Sequence, residues 1–379
     1  MEDKHMLMIP GPTPVPEKVL ISLGKHPIGH RSGDFSKVIA EINQNLKWLH
    51  QTKNEVLSLN VSGTGAMEAG MINFLSPGDR VLVGVNGKFG DRWAQICEVF
   101  GLQTERITGE WGTPLDTEEI RTKLEADSNK EIKAVVITHS ETSAGVLNDL
   151  ETINKHVKAH GEALIIVDAV TSLGAYNVPI DEWELDVVAS GSQKGYMIPP
   201  GMGFISVSDK AWKAYETSKF PRFYMDLGKY KKANAKDSTP FTPPINLMFG
   251  LQTALQMMQR EGLENIFARH ARLTQATRAA ARAIGLDLLA PDDAASTAVT
   301  AIKSDDAEAI RKTMRQKYDI ALAGGQDHLK GKIFRIGHLG FISDRDVLMT
   351  ISCLEATLIE LGHDIEPKSG VKAAAAAFA

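Results

Sequence analysis

The sequence predicts an α/β protein: a large domain on a mostly parallel seven-stranded sheet, followed by a smaller C-terminal α+β domain. Three observations carry this. Between about residues 55 and 210, short apolar runs alternate with stretches of helical periodicity. That is the pattern of βαβ units whose sheet is covered on both faces. A Lys- and Pro-rich stretch over 226–246, poor in apolar residues, then interrupts the pattern. Beyond it, helices dominate and only a few strand-like runs remain.

Taken in order, residues 1–20 read as an extended arm, because Pro10-Gly11-Pro12-Thr13-Pro14-Val15-Pro16 fixes φ and removes backbone donors. Apolar spacing at Val38, Ile39, Ile42, Leu46 and Leu49 predicts an amphipathic helix. The seven predicted strands are Val56–Leu59, Arg80–Val85, Gln103–Ile107, Ala134–Thr138, Ala163–Asp168, Val187–Ala189 and Phe204–Val207. The large domain is expected over 21–250, with 226–246 as a loop. Leu247–Arg282 reads as a long helical stretch broken near Gly262. The smaller domain, over 251–365, takes strands near Ser296–Ile302 and Ile333–Ile336 and helices over Ser304–Tyr318 and Ser343–Leu361. The alanine-rich end, 366–379, is expected to be a flexible tail.

With 379 residues, 43% hydrophobic and 23% charged, the chain has the composition of an ordinary globular protein. A net charge of −5 without long blocks of one sign favours neither a nucleic-acid nor a membrane-surface partner. Two cysteines, Cys97 and Cys353, make no disulfide framework and no metal-ligand spacing. The charged start Met1-Glu2-Asp3-Lys4-His5 leads into no apolar signal core. These features predict a cytoplasmic protein with no metal.

Chemistry enters at two strand ends. The apolar run before Asp168 and the run before Ser190-Gly191-Ser192-Gln193-Lys194-Gly195 both end at the carboxyl edge of the predicted sheet, where such folds bind ligands. An acid and a lysine so placed are what a pyridoxal 5′-phosphate (PLP) enzyme needs. The lysine takes up the cofactor aldehyde, and the carboxylate keeps a proton on the pyridine nitrogen. Taken singly, Asp168 is equally a helix N-cap and Lys194 a solvated lysine. Ser62-Gly63-Thr64-Gly65-Ala66-Met67-Glu68 is either a phosphate-binding turn onto a helix N-terminus or a structural tight turn. A dinucleotide fingerprint would need glycine where Glu68 stands.

The ordered set Pro10-Gly11-Pro12-Thr13, Ser62-Gly63-Thr64-Gly65-Ala66, Asn86-Gly87-Lys88-Phe89-Gly90, Thr138-His139-Ser140-Glu141-Thr142-Ser143-Ala144-Gly145, Asp168-Ala169-Val170-Thr171-Ser172, Ser190–Lys194 and Phe334-Arg335-Ile336-Gly337 resembles the class V, fold type I PLP aminotransferases. Within these it is most similar to the alanine–glyoxylate and serine–glyoxylate branch, over about residues 8–362. The resemblance implies that Lys194 is the Schiff-base lysine and Asp168 the partner of the pyridine nitrogen. It implies phosphate contacts from Gly65, Ala66, Gln193 and Thr242, the last reaching across a homodimer with shared active sites. Phe89 would stack on the cofactor ring, Val170 pack beneath it and Thr142 bond its hydroxyl. Arg335, with Gly11 beside it, would bind the substrate α-carboxylate. Phe89 is otherwise a core phenylalanine, and Arg335 a solvated strand arginine. Thr239 stands where some relatives carry a phosphate-binding tyrosine. His30 and Arg31 line a substrate pocket or merely enter a helix.

The implied reaction is transamination between a small amino acid, serine or alanine, and a small 2-oxo acid, glyoxylate or pyruvate. One carboxylate-binding arginine suits monocarboxylates. Two other readings stay open: a cysteine desulfurase-like lyase, which needs a loop cysteine, and a non-catalytic subunit of a larger complex.

Overall fold

The computed structural model describes residues 5–379; the charged start Met1–Lys4 lies outside the described residues. The elements run β1 (Met6–Met8), α1 (Glu17–Leu23), α2 (Gly33–Leu49), β2 (Val56–Leu59), α3 (Gly63–Ile72), β3 (Arg80–Val85), α4 (Lys88–Val99), β4 (Gln103–Thr108), α5 (Thr117–Ala126) and β5 (Ile132–Thr138). A short hairpin, β6 (Ser140–Glu141) and β7 (Val146–Leu147), precedes α6 (Leu150–His160), β8 (Leu164–Asp168), β9 (Val187–Gly191) and β10 (Gly203–Val207). Then come α7 (Asp209–Thr217), α8 (Leu227–Asn234), α9 (Ile245–Glu261), α10 (Leu263–Ala283), β11 (Val299–Lys303), α11 (Ala307–Tyr318), β12 (Ile320–Gly324), β13 (Ile333–Gly337), α12 (Asp344–Glu360) and α13 (Ser369–Phe378).

The seven predicted strands form one sheet in the order β2-β10-β9-β8-β5-β3-β4. It is mostly parallel, as expected; β10 alone runs antiparallel to both its neighbours. Alternation along the strands sends side chains into two separate cores. In β8, Ile165 and Val167 enter one core with α2, α6 and α9. Leu164 and Ile166 enter the other with α3 and α4. Thr138 of β5 and Ala189 of β9 lie level with Asp168; β5 and β8 end there, and β9 runs on to Gly191.

The smaller sheet has the order β1-β12-β13-β11 and packs on α10, α11 and α12 around a third core. Several expectations are corrected here. The N-terminal arm is not wholly extended: β1 pairs in parallel with β12, and α1 begins at Glu17 after Pro16. The loop expected over 226–246 contains α8, capped by Asp226 and anchored by buried Leu227 and Tyr230. The boundary expected at residue 250 falls inside α9, which packs on α1 and α2. The chain turns at Gly262, at φ +83°.

The tail expected to be flexible holds α13, packed on α10 and α12. Its alanine run is a strong helix former. Ala374 is fully buried, and the Glu355 carboxylate of α12 accepts the Gly370 N–H at 2.6 Å, capping the new helix. Truncation before Ser369 exposes this face of the small core. It is expected to cost about 2–3 kcal/mol, read as a lower Tm, while the large sheet and its ligand site persist. An unchanged Tm would show that α13 adds nothing.

Candidate active site

The same alternation turns Asp168 toward the side of the sheet that carries α3 and α4. The carboxylate is 3% exposed, and its Oδ1 accepts the Val170 N–H at 2.8 Å. Burial pushes its carboxyl up to about 6; that one N–H and the Lys194 charge pull the other way, while the Glu141 charge adds to the rise. Three residues beyond β9, Lys194 is also buried, and its Nζ donates to Pro10 O. Desolvation first, and then the Arg335 charge, lower its amine to about 8 against the pull of Asp168.

The proline-rich segment closes over this lysine. Thr13 N–H donates to Gln193 O and Thr13 Oγ1 to Lys194 O, both at 3.1 Å. Gly11 sits at φ +138°, and a Cβ there would come within 2.7 Å of Lys194 Cε and Nζ. Only glycine leaves the lysine room to move.

One cavity of about 330 Å³ brings together Gly11, Phe89, Thr142, Asp168, Val170, Gln193 and Lys194. Ser62, Gly63, Thr64, Arg92, Ser140 and Thr171 also line it. Thr142 and Thr171 share a hydroxyl bond of 2.6 Å. Phe89 is aimed by a buried carboxylate at the N-terminus of α4. Glu141 Oε2 accepts the Phe89 and Gly90 N–H groups at 3.0 Å each, and its Oε1 accepts Ser143 Oγ–H at 2.6 Å. Gly87, the N-cap residue, has no side chain to do this; a Cβ there would lie 2.2 Å from the Glu141 side chain. Burial pushes the Glu141 carboxyl up, against these donors.

Other expected residues sit elsewhere. Gly65 and Ala66 do not line the cavity, although Gly63, Thr64 and Met67 on either side of them do. The Ala66 N–H makes the first helical bond, to Ser62 O at 3.0 Å, and the Gly65 N–H faces Ser62 Oγ at 3.4 Å. Arg335 stands just behind the wall. Its Nη1 donates to Thr142 O at 2.9 Å, and its Nε and Nη2 donate to Gly324 O at 3.0 and 2.7 Å. It has no carboxylate partner among the described residues, and desolvation lowers it to about 10. Thr242 lines a separate small cavity with Tyr224, Thr239 and Phe241. Neither His30 nor Arg31 reaches the main cavity; Arg31 holds the loop through Ser238 Oγ at 2.8 Å.

Buried lysine, desolvated acid and an arginine lacking an acidic partner converge between two sheets, an arrangement suited to a carboxylate substrate and proton transfer at carbon. The class-V aminotransferase family matches residues 10–337. The chain belongs to that family.

Its relatives include aminotransferases of the glyoxylate branch and proteins that carry another name. This aminotransferase is 38% identical to a serine–glyoxylate aminotransferase of Methylorubrum extorquens, over 98% of this chain and 95% of the other. It is 66% identical, over the whole of both chains, to a protein of Anabaena cylindrica named soluble hydrogenase 42 kDa subunit. The solved ureidoglycine–glyoxylate aminotransferase of Bacillus subtilis superposes with a TM-score of 0.93 at 28% identity, covering 100% and 99% of the two chains.

The cofactor of the family is PLP, and the residues present fit it. Asp168, with a single donor, suits a protonated ring nitrogen as second partner. The cavity has the size of a small-ligand site. Gln193 Oε1 is buried and lacks a hydrogen-bond partner among the described residues. In this aminotransferase, sequence reasoning missed Glu141 and Arg92. A signal for Arg92 exists: it stands three residues after Phe89 on one helix, on the same face.

Replacing Asp168 with Asn keeps the acceptor for Val170 and removes a buried charge. Because folding raises this carboxyl above its usual value near 3.8, its ionised form destabilises the apo fold as pH rises through about 6. Asp168→Asn is therefore expected to stabilise the apo protein, on the order of 1 kcal/mol more at pH 8 than at pH 5. Urea titrations at the two pH values test this; equal effects would contradict it.

Proposed function

We propose that this aminotransferase moves an amino group between serine or alanine and glyoxylate or pyruvate, as a homodimer whose subunits share active sites. The observation that carries this is the pairing, in one cavity, of buried Lys194 and Asp168 beside an arginine with no acidic partner. Asp168, Lys194, Phe89, Val170, Thr142 and Gln193 would hold the cofactor. Gly63 and Thr64 at the start of α3 take the place expected for Gly65 and Ala66 as phosphate donors. When bound, PLP supplies an aldehyde for amine exchange and a ring that accepts the electron pair left at the substrate Cα.

The rest is done by this chain. Arg335 gives a planar fork to the substrate carboxylate and so fixes the direction of the Cα–H bond. Lys194 Nζ, its proton affinity lowered by burial, would take the Cα proton when neutral and pass it to the carbon of the cofactor aldehyde, so that the amino group stays with the cofactor. Gly11 leaves the space that this movement needs. Thr142 and Thr171 hold their hydroxyls together at the cavity wall, and Phe89 covers the ring against water.

The shared site is supported by exposed apolar side chains: Phe223, 73% exposed, lies 5.9 Å from the Phe241 ring beside Thr242, and Ile21 of α1 is equally exposed. Tyr224 stacks on Phe241 beside Thr242, and Arg31 ties the segment after Ile28 to the same loop. Such surfaces call for a covering partner. A cytoplasmic setting belongs to this proposal, resting on two free thiols.

The desulfurase alternative lacks its nucleophile. Cys97 is fully buried with its thiol pushed up to about 12, Cys353 packs on the small-domain core, and neither lines the cavity. The name of the Anabaena relative favours one second reading, a subunit role in a larger assembly. Purified protein that binds PLP but turns over no amino donor would favour it.

Lys194→Ala is expected to lose the visible cofactor absorbance and to lower turnover roughly 10²–10⁴-fold; retention of both would sink the assignment. Arg335→Lys is expected to raise the KM for the amino donor about 10-fold with a smaller change in kcat. The rate of PLP uptake by the apo protein should climb with pH to about 8 and then level, since Lys194 must be neutral. A panel of amino donors with glyoxylate and pyruvate, followed as half-reactions, tests the substrates. Faster turnover of aspartate than of serine or alanine would overturn the monocarboxylate reading.

A further inference from the structure

Arg92 belongs to none of the motifs and has no part in the reaction proposed above, yet its side chain lines the same cavity. It lies one turn along α4 from Phe89, and its guanidinium stands over the Phe89 ring, 4.8 Å from the centroid. Its Nη1 donates to Thr64 Oγ1 at 3.1 Å, at the second residue of α3. Asp168, in the same cavity, feels the Arg92 charge but makes no ion pair with it, and the acids of α4 and of the segment facing it are engaged with other cations. Asp91 pairs with Arg106 at 2.8 Å, Glu98 pairs with the same arginine at 2.9 Å, and Asp327 pairs with Lys88 at 3.0 Å. Among the described residues no carboxylate lies within ion-pairing distance of Arg92. Of the five N–H donors of this guanidinium, one is engaged within the chain.

A cation left without an acid, in a cavity that takes an anionic cofactor, points to an anion as its missing partner. The choice between anions follows from Thr64. Arg335 is tied to Thr142 and to Gly324 of the smaller domain. Arg92 is tied instead to the first turn of α3, where free N–H groups and the helix dipole already favour a phosphate. We propose that Arg92 is a phosphate-binding residue, closing its guanidinium fork on the PLP phosphate opposite the first-turn N–H groups of Gly63 and Thr64. Its seat over Phe89 then couples the phosphate end of the cofactor to the aromatic ring at the cavity wall.

The inference rests on the cofactor assignment, which the visible absorbance of wild-type protein loaded with PLP checks separately. The test compares apo wild type, Arg92→Gln and Arg92→Lys in titrations with PLP and with pyridoxal, which lacks the phosphate. Arg92→Gln is expected to weaken PLP binding about 10- to 100-fold and pyridoxal binding less than about 2-fold. Arg92→Lys, which keeps the charge without the fork, is expected to recover part of the loss. The Tm of each apo variant confirms that it is folded. Equal losses for PLP and pyridoxal would overturn the proposal and make Arg92 a prop for Phe89. Unchanged PLP affinity, with a raised KM for aspartate and not for alanine, would overturn it in favour of a substrate side-chain carboxylate.

Discussion

At the end of β8 a carboxylate is kept out of water with one backbone N–H as its donor, and the rest of the site is arranged around that constraint. A sheet covered on both faces offers no solvent to Asp168, so its charge is tolerated only near compensating cations. Lys194 and Arg92 act on it through their charges, and Arg335, behind the cavity wall, acts in turn on Lys194. The result is a cluster whose members raise and lower one another's proton affinity. Burial first, and then these charges, bring one lysine to about 8 without a change in its chemistry.

The geometry comes from pieces that are distant in sequence. β5 and β8 end level and β9 runs on beside them to Gly191, which sets Asp168 beside the turn to Lys194. Glu141 fixes the start of α4, and with it Phe89 and Arg92 on one helical face. From the smaller sheet, β13 sends Arg335 to Thr142, while Pro10 and Thr13 lie across the lysine. Loss of the contact between the two sheets would leave the large sheet intact and the substrate end of the site unformed.

Much of this was legible in the sequence, for physical reasons. Strands such as Leu164–Asp168 are apolar throughout because both faces are buried, and that pattern survives without knowledge of neighbours. The reversed direction of β10 leaves no such trace, since Phe204 and Ile205 are buried on either orientation. β1 was hidden because three residues carry no period. α8 was hidden because it buries only Leu227 and Tyr230 among lysines. The tail misled because an alanine run marks a helix only when something covers it, here α10 and α12. In the site, Lys194, Asp168 and Gly11 carry local signatures. Glu141 and Arg92 act through contacts with Gly90, Ser143 and Thr64, which no single segment displays. That Gly63 and Thr64 line the cavity and Gly65 and Ala66 do not is a matter of half a helical turn, finer than a motif resolves.

The pairing of β1 with β12 sets an order of events in synthesis. Met6 finds its neighbour only at Ile320, more than three hundred residues later on the ribosome. Until then the proline-rich segment is held at one end only, by α1 on α9 and by Thr13. The large sheet can close early from nearby strands, but a contact of such sequence separation forms slowly. The nascent chain therefore carries its reactive lysine uncovered from its own synthesis at mid-chain until Ile320 emerges, and acquires the lysine's ceiling only then.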